Sequence, residues 1–118
     1  MAYMLMVMEP RDQRPSRSPQ EGEALYDRMV KWGQQLAARD LLVASESLRS
    51  DQHGVRVAIR GGKRLMTDGP FTESKEMVGG FYLLTCQTRD EAIALAAECP
   101  AAEWATIEVR EVAPCFAG

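Results

Sequence analysis

The segment Tyr3-Met4-Leu5-Met6-Val7-Met8 is apolar at every position, and no other feature constrains the fold as much. Tyr3, Leu5 and Val7 share one alternating face, and Met4, Met6 and Met8 share the other. A strand with two apolar faces must be covered on both. Helices can supply one cover, and a second surface has to supply the other. The run breaks at Glu9-Pro10, carries no basic leader and is too short to cross a bilayer, so it reads as a core strand rather than a targeting segment.

The elements that follow show what kind of core this strand joins. Residues 9–18 form a polar, proline-broken loop. Ser18-Pro19-Gln20-Glu21 predicts a helix start, with Ser18 as cap, Pro19 at the first helical position and Glu21 closing the capping box. The helix should run to about Arg39, with Leu25, Met29, Trp32 and Leu36 as its core stripe. A strand over 41–48, a polar turn over 49–54 and an alternating strand through Val55, Val57 and Ile59 come next. Gly61-Gly62 is a hairpin turn, with 64–67 as the returning arm. Asp68-Gly69-Pro70-Phe71 breaks that arm, and 72–77 suggests one helical turn.

Residues 79–86 read as a second buried strand, and Thr88-Arg89-Asp90-Glu91 opens a second helix that reaches Glu98 and stops at Pro100. A last strand spans 106–112. The order is β-α-β, an inserted hairpin, then β-α-β. This is the α+β, ferredoxin-like plan, with an antiparallel sheet and two helices on one face. A chain of 118 residues matches one domain, expected over 1–112 with a loose tail over 113–118.

In that plan one sheet face stays open, yet here the first strand is apolar on both faces and the strand after Gly80 nearly so. So much apolar surface would be an unusually large exposed patch. Pairing two copies about a two-fold axis would remove it, which predicts a homodimer. The alternative is that the inserted hairpin folds over the face within one chain.

Charge and cysteine usage narrow the function classes. A net charge of −3 disfavours nucleic acid and anionic membrane as direct partners. Cys86, Cys99 and Cys115 have no Cys-x-x-Cys spacing, and free thiols suit a reducing compartment, so a cytoplasmic location is expected. With histidine and cysteine so sparse, no metal site is expected. No phosphate-binding loop, dinucleotide fingerprint or nucleophile elbow is present either, so no cofactor is expected.

The motif Asp68-Gly69-Pro70-Phe71-Thr72-Glu73-Ser74-Lys75-Glu76 resembles the signature of DGPF-domain proteins, a branch of the YCII-related family. Tyr3-Met4-Leu5-Met6, Gly79 to Leu84, and Pro100 with Ile107-Glu108-Val109-Arg110 are similar to that family's other segments. The resemblance covers nearly the whole chain. It implies a ferredoxin-like fold that forms a dimeric α-β barrel, with a cleft near the dimer interface. Such proteins are often encoded beside extracytoplasmic-function sigma factors. Some wider relatives are small-molecule enzymes that rely on a histidine near the first helix and an aspartate. This chain has no histidine before His53, so that histidine is not carried over.

The motif itself supplies the first candidate residues. Asp68, Gly69 and Pro70 could set a carboxylate and free N–H groups at a cleft mouth, or could simply make a tight turn. Glu73 and Lys75, with Glu76, could serve acid–base chemistry or grip an anion; as a charge cluster they could equally be a solvated turn. Glu46, Arg56, Glu108 and Arg110 should share or flank the open face, either lining a wet cavity or pairing across an interface. Tyr82 could offer its hydroxyl to a ligand or be a satisfied core tyrosine, and Phe71 could wall a pocket or plug the core.

His53 reads as an exposed turn residue with a minor claim as a base. The basic clusters Arg11, Arg14, Arg17 and Arg60, Lys63, Arg64 read as solvated loops, and the methionine stripe as packing. The functional expectation is a small-molecule-binding homodimer performing proton-transfer or elimination chemistry on a small polar or aromatic compound. Asp68, Glu73 and Lys75 are its candidate catalytic groups. Glu46, Arg56, Gly69, Pro70, Phe71, Tyr82 and Arg110 are its candidate ligand contacts. One alternative is a regulatory interaction module associated with a sigma factor. Another is that the motif serves only to fold the hairpin.

Overall fold

A computed structural model describes residues 2–118. The elements are β1 (Ala2–Pro10), α1 (Pro19–Ala38), β2 (Leu42–Ser47), β3 (Val55–Arg60), β4 (Lys63–Asp68), β5 (Glu76–Thr85), α2 (Arg89–Glu98) and β6 (Thr106–Glu111), with short 3-10 turns at Asp51–His53 and Pro100–Glu103. β2, β5, β1 and β6 form one antiparallel sheet in that order, and β3 with β4 forms a separate hairpin. This is the ferredoxin-like α+β fold. The two strands apolar on both faces, β1 and β5, sit at its centre.

Register decides which side chains meet the helices. Tyr3, Leu5 and Val7 of β1 align with Leu84, Tyr82 and Gly80 of β5 and with Glu111, Val109 and Ile107 of β6. That face packs on Trp32 and Leu36 of α1 and on Ala92, Leu95 and Ala96 of α2. Leu5, Leu36 and Leu84 are completely buried. Truncating any one to alanine should cost about 2–5 kcal/mol. Met4, Met6 and Met8 align with Leu83, Phe81 and Val78 on the opposite, open face.

Local signals place the helices as the sequence predicts. At α1 the Glu21 N–H donates to Ser18 Oγ (3.1 Å) and the Ser18 N–H donates to Glu21 Oε1 (2.9 Å). These bonds hold the Glu21 carboxyl below its usual range. At α2 the Glu91 N–H donates to Thr88 Oγ1, but the Glu91 carboxylate accepts from Gln87 N–H, one residue before the cap. Asp40 leaves α1 in the left-handed region at φ 57°.

Two local expectations are corrected. Residues 72–77 hold a turn at Thr72–Glu73 and no helix, because β5 starts at Glu76 where it can pair with Pro10. Arg56 does not share or flank the open face, because β3 pairs only with β4 and leaves the main sheet. The hairpin turns at Gly61 and Gly62, both with positive φ as its tight two-residue loop requires. It forms no ladder with the main sheet and its Val57, Ile59, Leu65 and Met66 stay exposed, so the option that it folds over the open face of its own chain is not realised.

Candidate functional site

A cleft of about 680 Å³ opens between α1 and the sheet beside β2, within the size range of small-molecule sites. Its floor comes from Val7 and Glu9 of β1, Gly79 to Tyr82 of β5 and Ser45 to Ser47 of β2. Tyr26, Met29 and Gly33 of α1 form one wall, and Arg14, Arg17, Ser18 and Trp104 close one end. Trp104 is held in place: its carbonyl accepts from Gln13 Nε2 (2.6 Å), and the Arg28 guanidinium lies 5.3 Å from its ring centroid.

Glu9 is the unusual group here, a buried carboxylate with only 6% of its surface exposed. It continues the inward phase of Tyr3, Leu5 and Val7. Its charge partner is Arg14, whose Nε approaches Oε1 to 2.5 Å. That contact is off the N–H direction, so Oε1 accepts no hydrogen bond from any described residue. Room for the carboxylate comes from a bulge in β5: Val7 pairs with Gly80 and Met8 with Val78, leaving Gly79 between. A Cβ on Gly79 would stand 2.7 Å from Glu9 Cδ, so any larger residue there would displace the carboxylate. Arg14 also reaches the Gly79 carbonyl, at 3.4 Å.

Tyr82 lies on the same floor, but its hydroxyl donates to the Met29 carbonyl at 2.8 Å. Burial pushes its pKa up to about 12, so it stays protonated at neutral pH. Its ring meets Trp32 edge-on with centroids 4.8 Å apart. Gly33 lies beside it, where a Cβ would be in van der Waals contact with the Tyr82 ring at 3.4 Å.

A second polar cluster sits at the hairpin base, around Asp51. Asp51 Oδ1 accepts from Arg11 Nη1 (2.7 Å) and Oδ2 from the Phe71 N–H (3.3 Å). Arg11 Nε donates to the Ser74 carbonyl (2.8 Å), and the Arg11 N–H donates to the Lys75 carbonyl (3.2 Å). The Arg11 hydrogen bond holds the Asp51 carboxyl below its usual range. Arg56 lies 3.8 Å above the Phe71 ring and pairs with Glu73 at 2.6 Å. Its own backbone N–H, and then Arg56, lower the Glu73 carboxyl. Gly69 passes so close to the 3-10 turn that a Cβ would fall 1.8 Å from the Asp51 carbonyl.

Comparisons with known proteins identify the family and the fold. A family model described as the YCII-related domain matches residues 1–115. The chain belongs to the YCII-related family. An uncharacterized protein of Rhizobium meliloti (strain 1021) is 43% identical over 54 residues, 44% of this chain and 44% of that protein. The YCII-related chain thus spans less than half of that relative's length. Among solved structures it resembles the 5-chloro-2-hydroxyhydroquinone dehydrochlorinase of Burkholderia phenoliruptrix in complex with 2,5-dihydroxybenzoquinone. That match has TM-score 0.54 and 16% identity, covering 96% of this chain and 94% of that one, and it establishes the shared fold.

The candidates read from the sequence of this YCII-related chain fall into three groups. Glu46 and Tyr82 line the cleft. Arg56, Asp68, Gly69, Pro70, Phe71, Glu73 and Lys75 gather at the hairpin base, and none of them lines the cleft. Arg110 lies on β6 beside Glu108, 3.2 Å away, on the open face. His53 lies in the 3-10 turn, 3.4 Å from the Arg49 guanidinium.

Glu9 and Arg14 are the residues that sequence reasoning missed as site groups. Two signals pointed to Glu9. It keeps the odd-numbered inward phase of β1, and Gly79-Gly80 inside an apolar strand marks a close approach. Among the described residues no cluster of histidine, cysteine or carboxylates could hold a metal ion. Among the described residues no helix is long and apolar enough to cross a membrane.

Proposed function

We propose that this chain binds a small hydroxylated aromatic compound in the cleft between α1 and β2 and performs acid–base chemistry on it, with Glu9 as the base. The buried Glu9 carboxylate carries this reading, because Glu9 lines the cleft beside Arg14 and its Oε1 accepts no hydrogen bond from a described residue. Such an oxygen is costly unless a ligand supplies the proton. A phenolic hydroxyl would satisfy it, while Arg14 and Arg17 would hold the oxyanion left after proton transfer. Tyr26 and Trp104 add aromatic surface for a flat ring.

The dehydrochlorinase that shares this fold supports the same ligand class, since it holds a hydroxylated quinone. In a dehydrochlorination the base would take a proton while chloride leaves with the C–Cl electron pair. The working form on this reading is a homodimer. The test is calorimetric titration with 2,5-dihydroxybenzoquinone, together with chloride release from 5-chloro-2-hydroxyhydroquinone. Glu9→Gln should weaken binding at least about tenfold. Equal affinity in wild type and Glu9→Gln would exclude Glu9 as the anchoring base.

A further inference from the structure

The cleft is far larger than one aromatic ring. A closed apolar cavity of about 150 Å³ is enough to hold benzene, whereas this cleft measures about 680 Å³. It is also long. Its helical wall runs from Pro19 to Ala37, roughly 27 Å at the rise of an α-helix.

The chemistry changes along that length. Glu9, Arg14, Arg17 and Ser18 gather where α1 begins. Farther along, Tyr26, Val30, Gly33 and Ala37 recur at helical spacing and line the cleft. They make a second apolar stripe on α1, beside the one that seats Trp32 and Leu36 on the core. One stripe is enough to hold a surface helix, and its remaining faces are ordinarily polar. Here the second stripe is left partly in water, with Tyr26 56% and Val30 39% exposed. Of the described α1 residues lining the cleft past Ser18, only Gln34 carries an amide or a charge, and β2 adds Leu42 and Ser45 opposite. Two helical glycines widen the space. A Cβ at Gly22 would meet nothing within 4 Å, and one at Gly33 would meet only Tyr82. Neither glycine is required by close packing, although each is less stable in a helix than alanine.

We propose that the ligand is an amphiphile, with a hydroxylated aromatic head and an unbranched alkyl tail. The head position rests on the reading given above: it lies at Glu9, where Arg14 and Arg17 match its acidic hydroxyls. The tail lies along the second stripe of α1 toward Leu42 and covers Tyr26 and Val30. A bare ring would leave that stripe in water, and a purely apolar molecule would leave both arginines unanswered.

The test is calorimetric titration of the full chain with 2,5-dihydroxybenzoquinone and with its propyl, heptyl and undecyl ring-substituted derivatives, all below micelle-forming concentrations. Affinity should rise about two- to fourfold for each methylene taken out of water. Val30→Glu with Ala37→Glu puts charge on the tail path. Both side chains are exposed already, so circular dichroism should stay native. The dependence on chain length should flatten, and the undecyl compound should bind at least about tenfold more weakly. An affinity independent of chain length overturns the proposal. So does a chain-length gain that the double variant leaves intact, which would mean that the tails adsorb elsewhere, as on the open sheet face. Failure of the head assignment reads differently: Glu9→Gln without effect on any member of the series removes the base and leaves the tail path standing.

Discussion

Arg11 and Arg14 leave the same loop three residues apart and enter opposite environments. Around Arg11 the polar groups are mutually satisfied: Asp51 accepts from a guanidinium and an amide, and Arg11 spends two further donors on backbone carbonyls. Around Arg14 they are not. Glu9 is more deeply buried than Asp51, yet Oε1 receives one ill-directed ion-pair contact and no hydrogen bond. A closed polar network rigidifies what it joins, whereas an incomplete one retains capacity for something else. The signature motif lies in the closed region. The open region carries no motif at all.

The largest expected effect breaks the closed side. Gly69→Ala would drive a Cβ into the Asp51 carbonyl, and a loss of about 3 kcal/mol or more is expected in chemical denaturation. An unchanged midpoint would show that the hairpin base yields without cost.

On the open side, Glu9→Leu combined with Arg14→Leu should do the reverse. Replacing an imperfect buried ion pair by an apolar group is often neutral or stabilising by about 1 kcal/mol, so thermal stability should hold or rise while quinone binding disappears. A large drop in stability with binding retained would exchange the roles assigned to the two regions.

Tyr82→Phe sharpens the boundary between them. Losing the bond to the Met29 carbonyl should cost about 1 kcal/mol and leave ligand affinity intact, as measured by melting and titration in parallel.

The smallest effect is on acid stability. Asp51 and Glu73 are held below their ordinary values of 3.8 and 4.5, so the unfolded chain binds protons first as pH falls. Their stabilisation is complete above those ordinary values and is lost as pH drops through the lowered folded ones. Melting curves from neutral pH down to about 3 should steepen there, and Asp51→Asn should flatten the profile.

What the sequence revealed follows the range of the forces involved. Ser18 and Thr88 cap their helices through neighbours three residues away, so local reading finds them. The double apolar faces of β1 and β5 announce central strands. Glu9 escaped because Glu9-Pro10 looks like a loop entrance. Its burial depends on the Gly79 bulge in a strand about seventy residues distant. Arg56 was assigned to the open face because alternation gives a strand its two faces but says nothing of which sheet it joins. The motif residues were legible as a group, while their saturation by Arg11 and Asp51 was not, because those partners come from two other loops.

The hairpin leaves and re-enters the chain at adjacent points: Val55 pairs with Asp68, and Gly69 N–H donates to the Gly54 carbonyl at 2.8 Å. Its two ends are therefore sealed to each other before the first apolar rung begins. Rungs can be added or removed in pairs beyond that seal without altering strand phase elsewhere. The arm is thus a module whose length natural variation can tune, with the chemistry of the cleft inherited unchanged.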